Sequence, residues 1–102
     1  MLDLIRNNLE QIAVICRANK VKRLELFGSA ARDDFDFTAS DLDFLVEFES
    51  YEDPAIADHW FGLEEQLAEL LNRKIDLCSL RKATDPLFLD VANQSRIGLY
   101  AA

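Results

Sequence analysis

Val21-Lys22-Arg23-Leu24-Glu25-Leu26-Phe27-Gly28-Ser29-Ala30-Ala31-Arg32 and, after a polar stretch, Asp41-Leu42-Asp43-Phe44-Leu45-Val46-Glu47-Phe48 decide how this chain folds. In the first, Leu24 and Leu26 alternate with Arg23 and Glu25, which predicts a strand over Val21 to Phe27 with one face toward a core. Gly28-Ser29 ends it. The Ser29 hydroxyl can accept an orphan backbone N–H as the N-cap of a short helix over Ala30, Ala31 and Arg32. The second stretch alternates as well. On a strand Leu42, Phe44, Val46 and Phe48 share one face, and Asp41, Asp43, Leu45 and Glu47 share the other. The two aspartates therefore project together.

Outward from this pair of strands, Leu4, Ile5, Leu9, Ile12, Ala13 and Cys16 recur at helical spacing, so an amphipathic helix precedes the first strand and ends in the polar cluster Arg17 to Lys20. A polar loop covers Asp33 to Ser40. Asp53-Pro54 opens a further helix, with Pro at its first position and Asp as cap; Ala57, Trp60, Phe61, Leu63, Leu67, Leu70 and Leu71 form its apolar side. Lys74 to Cys78 reads as a short strand with Ile75 and Leu77 on one face and Asp76 on the other. Asp85-Pro86 caps a final helix bearing Leu87, Phe88, Val91 and Ala92, its furthest extent Ile97 before Gly98. The order α-β-α-β-α-β-α predicts an α/β (α+β) domain, a small mixed sheet with helices mainly on one face.

The chain has 102 residues, half of them hydrophobic, and a formal net charge of −8. A chain of this size buries roughly two-thirds of its unfolded surface, enough for one core, so a single domain over residues 1–102 is expected. Cys16 and Cys78 form neither a C-x-x-C pair nor a disulfide framework. No apolar run approaches the ~20 residues that span a bilayer, and Asp3, Arg6 and Glu10 interrupt any leader. The expectation is a soluble, reduced, cytoplasmic protein without membrane contact. Between Asp33 and Asn72 lie thirteen acidic residues and no Lys or Arg. Such a block repels phosphate backbones, so nucleic-acid binding driven by counterion release is not expected. It suits divalent cations or a basic protein partner, and for any one of these carboxylates a solvated surface is the plain alternative.

Three features could converge on one site. Gly28-Ser29 lies at a strand-to-helix turn, Asp41 and Asp43 on the non-core face of one strand, and Asp76 likewise on another. A glycine lets backbone approach a ligand closely, and a helix start with a serine hydroxyl offers donors to phosphate oxygens. Carboxylates two apart on a strand lie side by side, where like charge is costly unless a cation is bound; hard oxygen ligands favour Mg²⁺. Taken singly, each has an ordinary reading: Gly-Ser as a plain turn, D-x-D as strand surface, Arg32 as a surface cation. Their joint order is what carries weight.

Leu26-Phe27-Gly28-Ser29-Ala30-Ala31-Arg32 followed by Ser40-Asp41-Leu42-Asp43-Phe44-Leu45-Val46 resembles the G-S-x10-D-x-D signature of the minimal nucleotidyltransferases in the DNA polymerase β superfamily, and Lys74-Ile75-Asp76-Leu77 matches the position of their third carboxylate. The likeness spans nearly the whole chain. Eleven residues, not ten, separate Ser29 from Asp41, and Asp33 stands where a glycine commonly follows the arginine. The resemblance implies the palm-like nucleotidyltransferase fold and a division of labour. Gly28 and Ser29, with Arg32 and Ser40 nearby, would hold the triphosphate of ATP; Asp41, Asp43 and Asp76 would hold two Mg²⁺ ions; Asp76 would also help deprotonate the acceptor hydroxyl. Members this small resemble antitoxins whose partner is a HEPN-domain ribonuclease toxin, and the implied reaction moves AMP from ATP to a tyrosine of that toxin with release of pyrophosphate. The length agrees, since one small domain can seat a triphosphate but has little chain left for an acceptor pocket. Two alternatives stand beside it: an antitoxin that neutralises its toxin by binding alone, its acidic block covering a basic surface, and a homodimeric transferase acting on a small molecule or a nucleic-acid end.

Other residues take bland readings. His59 has no second His or Cys at ligand spacing. Cys16 is expected in the core, Cys78 near the Asp76 face without a reactive neighbour, and Trp60 and Phe61 in packing rather than base stacking. Asp33, Asp34 and Asp36 lack the later ligands and glycine of an EF-hand.

Overall fold

A computed structural model of the chain describes residues 2–32, 41–80 and 96–102. Two helical segments, α1 (Asp3–Arg6) and α2 (Leu9–Ala18), lead into β1 (Val21–Phe27); α3 (Ser29–Arg32), β2 (Leu42–Phe48), α4 (Ile56–Leu71), β3 (Ile75–Ser79) and β4 (Ile97–Ala101) follow. The strands form one mixed sheet in the order β3-β2-β1-β4. β1 pairs antiparallel with β2 and with β4, while β2 and β3, joined through α4, run parallel. Such a parallel pair needs a crossover element, and α4 supplies it.

The expected single N-terminal helix is two pieces, because Asn8 leaves helical geometry (φ −119°) and its side-chain amide donates to the Leu4 carbonyl at 2.7 Å. Asparagine competes for backbone partners in this way, which is why it interrupts helices. The turn between α2 and β1 passes through Lys20 in left-handed geometry (φ 58°). In β1, Val21, Leu24 and Leu26 are all buried although Val21 and Leu24 are three apart. A register shift between Val21 and Arg23 absorbs the extra residue and keeps all three on the core side.

That side packs against the helices. Leu24, Leu26, Phe44, Val46, Phe48, Ile75 and Leu77 meet Ile12 and Cys16 of α2 and Leu63, Leu67 and Leu71 of α4. Burial pushes the Cys16 thiol up to about 12, the behaviour of an inert core cysteine. α2 and α4 are joined near their ends by Asn19, which is 6% exposed and donates to Ile15 O and to Gln66 Oε1. Trp60 packs on Phe48 with ring centroids 6.1 Å apart. Phe61 and Ala57, by contrast, are exposed: their shared stripe, one turn apart, faces solvent, so α4 has a narrower apolar face than its composition suggests. Its start also lies later than Asp53-Pro54 implies; Asp53 Oδ1 accepts the Ala55 N–H at 2.8 Å in a turn that delivers the chain to Ile56. No helix among the described residues is long and apolar enough to cross a membrane.

Two further expectations are corrected. Ile97, placed at the end of a final helix, begins β4 instead, an edge strand whose Leu26↔Ile97 and Leu24↔Tyr100 pairs extend the sheet beyond β1. The Asp85-Pro86 helix itself lies outside the described residues. Leu45, on the acidic face of β2, is fully buried, so that face is covered at its centre as well.

At the end of β3 the Ser79 hydroxyl oxygen is buried with no hydrogen-bond partner among the described residues. A buried hydroxyl without a partner costs its desolvation. Ser79→Ala is therefore expected to raise stability by about 1 kcal/mol, read as a higher urea midpoint at unchanged m value.

Candidate active site

The sheet brings the motif residues to one end and one face. Phe27, the last residue of β1, is paired with Asp43, and Asp43 is paired with Asp76. A single row thus crosses three neighbouring strands, with two carboxylates side by side at the ~4.8 Å inter-strand spacing. Like charges directly opposite each other destabilise a sheet unless a positive group offsets them.

Gly28 follows immediately and holds φ +74°, left-handed geometry that side-chain-bearing residues rarely adopt. A Cβ added there would lie 2.6 Å from Asp43 Oδ2. The glycine and the carboxylate therefore occupy one cradle, and only the missing side chain keeps it open. α3 begins at Ser29, one residue earlier than a serine cap allows, because the chain already turns at Gly28, whose carbonyl accepts the Ala31 N–H at 3.1 Å. Arg32 is the last residue of α3. Ser40 lies outside the described residues, as do Asp33, Asp34 and Asp36.

Asp41 precedes β2 and stands beside Lys74, with Oδ2 to Nζ at 3.9 Å; its side chain is 41% exposed and that of Lys74 is 82% exposed. Its carboxylate has thus not joined the other two. Among the described residues no three His, Cys, Asp or Glu side chains gather into a group able to hold a metal ion. Asp43 and Asp76 nonetheless fit a hard divalent cation by donor type and by placement, with the open cradle of Gly28 alongside.

Cys78 lies on the same face, two residues beyond Asp76. Burial pushes its thiol up, and the Asp76 and Asp43 carboxylates push it further. The thiol thus sits within electrostatic reach of both acids, a proximity that the i, i+2 spacing already hinted at. His59 Nε2 donates to Asp53 Oδ2 at 3.3 Å, in the turn ahead of α4.

A second polar group on this face went unnoticed in the sequence. Glu25, paired to Leu45 on one side and Gly98 on the other, accepts from Arg96 Nε and, at 2.9 Å, from Arg23. The bonded Arg96 guanidinium, helped by Arg23, holds the Glu25 carboxyl below the usual carboxylate range. A lowered folded-state value stabilises above the unfolded value of about 4.3, and that contribution is lost as pH falls through the folded one. Wild type is expected to lose stability on acidification below pH ~4 more steeply than Glu25→Gln, as urea midpoints measured from pH 7 to pH 3 will read.

The family model for polymerase beta nucleotidyltransferase matches residues 10–101. Among solved structures, a minimal nucleotidyltransferase is 32% identical with a TM-score of 0.72, covering 94% of this chain and 95% of its own. A toxin–antitoxin crystallised with AMP-PNP is 25% identical with a TM-score of 0.70, covering 93% of this chain and 74% of that one. The complex of a tri-AMPylated Shewanella oneidensis HEPN toxin with its MNT antitoxin is 23% identical at TM-score 0.65, covering 96% and 73%. No curated protein sequence matches the chain.

Proposed function

This chain belongs to the polymerase β nucleotidyltransferase family, and from that premise we propose that it is a Mg²⁺-dependent antitoxin that transfers AMP from ATP to a tyrosine hydroxyl of a HEPN-type ribonuclease toxin. The observation that carries this is the row in which Asp43 lies opposite Asp76 and against the open cradle of Gly28. The likeness to a toxin–antitoxin crystallised with AMP-PNP, an ATP analogue, supports both the donor and the kind of partner.

The residues divide the work. Gly28 admits the triphosphate close to the backbone, and the Ser29 hydroxyl and N–H offer it donors, with Arg32 and Ser40 as further contacts. Asp43 and Asp76 would hold Mg²⁺, with Asp41 joining them once it leaves Lys74, two ions in all. The metal would supply charge neutralisation on the phosphate oxygens. The acceptor oxygen attacks the α-phosphorus, the bond to the β-phosphate oxygen breaks, and pyrophosphate leaves. The acceptor's proton passes to Asp76. A partner protein brings the acceptor. Cytoplasmic action follows from the same reading.

Incubation with α-labelled ATP, Mg²⁺ and the product of the adjacent gene tests it. Label on a tyrosine of that partner is the expected result. A partner that is neutralised yet unlabelled supports occlusion instead, through the acidic block, and overturns the transferase reading.

A further inference from the structure

The outward side of α4 carries an aromatic ring among carboxylates. Asp58, Phe61, Glu65 and Glu69 follow one another at intervals of three, four and four residues, so they form one line along the helix, and all four are exposed. The opposite side holds Leu63, Leu67 and Leu71 in the core. Phe61 is 63% exposed; the other large hydrophobic side chain that stands so far into solvent among the described residues is Val14 on α2. No Lys or Arg lies within Ile56–Leu71, and among the described residues no cation pairs with Asp58, Glu65 or Glu69. The line also leads toward the site. Because β2 and β3 run parallel, α4, which joins them, runs back toward the end of the sheet that carries the Asp43↔Asp76 row. From Phe61 to the last turn of the helix is about 15 Å at 1.5 Å per residue.

We infer that this side of α4 is the docking surface for the protein that carries the acceptor hydroxyl, which meets it with an apolar pocket for the Phe61 ring and with Lys or Arg opposite Asp58, Glu65 and Glu69. The inference rests on the partner half of the preceding reading and assigns the surface that serves it. Three physical points carry it. The Phe61 ring stands outside the chain's own core, and an aromatic side chain of this kind is enriched where protein surfaces meet, because it removes a large apolar area from water at little cost in side-chain freedom. Charge selects the occupant. Carboxylates with no cation beside them repel a phosphate backbone, and they repel a second copy of this chain, which would bring the same acids and a net charge of −8 of its own; a basic protein surface is attracted by both. Placement is the third point. A protein seated over Phe61 and reaching along Glu65 and Glu69 arrives at the site end of the sheet, so one surface can hold α4 and present a hydroxyl beside the Asp43↔Asp76 row.

The test is binding and AMP transfer by the full chain with the product of the adjacent gene as partner. Phe61→Ala removes an exposed ring and keeps a good helix former in its place, so the fold stays intact, which an unchanged Tm checks. It is expected to weaken partner binding about 10–30-fold in calorimetry, the scale of an anchor residue, and to raise KM for the partner while kcat at saturating partner stays at the wild-type value. Val14→Ala, the matching truncation on α2, keeps wild-type affinity. Joint replacement of Glu65→Lys and Glu69→Lys slows association about tenfold at low salt, and the gap narrows as salt rises to about 0.5 M. Wild-type affinity in Phe61→Ala, or an equal loss in Val14→Ala, overturns the docking surface and leaves the transferase reading standing. Phe61-dependent binding without label on the partner keeps the surface and overturns the transferase reading. Self-association of the chain alone that Phe61→Ala abolishes assigns this side of α4 to a second copy and overturns the inference, as does a wild type that fails to bind the partner.

Discussion

Asp43→Asn is expected to reduce AMP transfer by at least 10²–10³-fold while leaving the folded protein as stable as wild type or slightly more so. The two halves of that result have different origins. A carboxylate that holds a catalytic cation contributes several kcal/mol of transition-state charge stabilisation, and each 1.36 kcal/mol is a factor of ten in rate. Asparagine has the same shape but one neutral oxygen, so the cation is held less well. Stability moves the other way. Asp43 faces Asp76 across the β2–β3 ladder, and removing one of two opposed charges relieves repulsion worth some tenths of a kcal/mol. Single-turnover labelling of the partner reads the first effect and thermal unfolding the second. Loss of activity accompanied by a large fall in Tm would instead mean that Asp43 holds the fold together, and undamaged transfer would remove it from the chemistry.

Much of this arrangement was legible because it depends on local pattern. The bounds of β1 follow from Leu24 and Leu26 alternating up to Gly28, and the sidedness of β2 and β3 from Leu42, Phe44, Ile75 and Leu77, all buried as read. That Asp43 and Asp76 would be direct neighbours was not legible: register between strands more than 30 residues apart is set by α4 and the core, not by either strand. β4 was missed for a related reason. Five residues containing Gly98 have little strand character of their own, and pairing with β1, through a bulge at Leu24/Glu25, makes them a strand. The break at Asn7-Asn8 was readable from side-chain chemistry but was overridden by the apolar periodicity around it. Phe61 and Leu45 show the limits of hydrophobicity as a guide to burial, one exposed at 63% and the other buried on the acidic face. The Asp41–Lys74 contact lies in the same class as the register, since only the paired ladder brings those two positions together.

Gly28→Ala is the change expected to harm both fold and function, and its two causes can be separated. Alanine at φ +74° pays for left-handed geometry, roughly 1–2 kcal/mol. Its Cβ would also lie 2.6 Å from Asp43 Oδ2 and 3.4 Å from Cγ, so the carboxylate must rotate away or the turn must shift. Together these amount to about 2–3 kcal/mol, which for a domain of this size lowers Tm by about 10–20 °C. Activity should fall further than the unfolded fraction explains, because the displaced group is the proposed cation ligand itself. A cycle with Asp43→Ala resolves the parts. The Asp43 Cβ is 3.6 Å from the new methyl, ordinary contact, so in that background only the backbone strain remains and Gly28→Ala costs less. A positive coupling of about 1 kcal/mol between the two positions is the expected result of denaturant unfolding on the four proteins. Strict additivity would mean that the turn and the carboxylate are independent, and that the glycine serves the backbone alone. The coupling matters for the proposed chemistry: with it, the residue that lets the chain turn after β1 is also the one that fixes where the Asp43 carboxylate, the proposed metal ligand, can point.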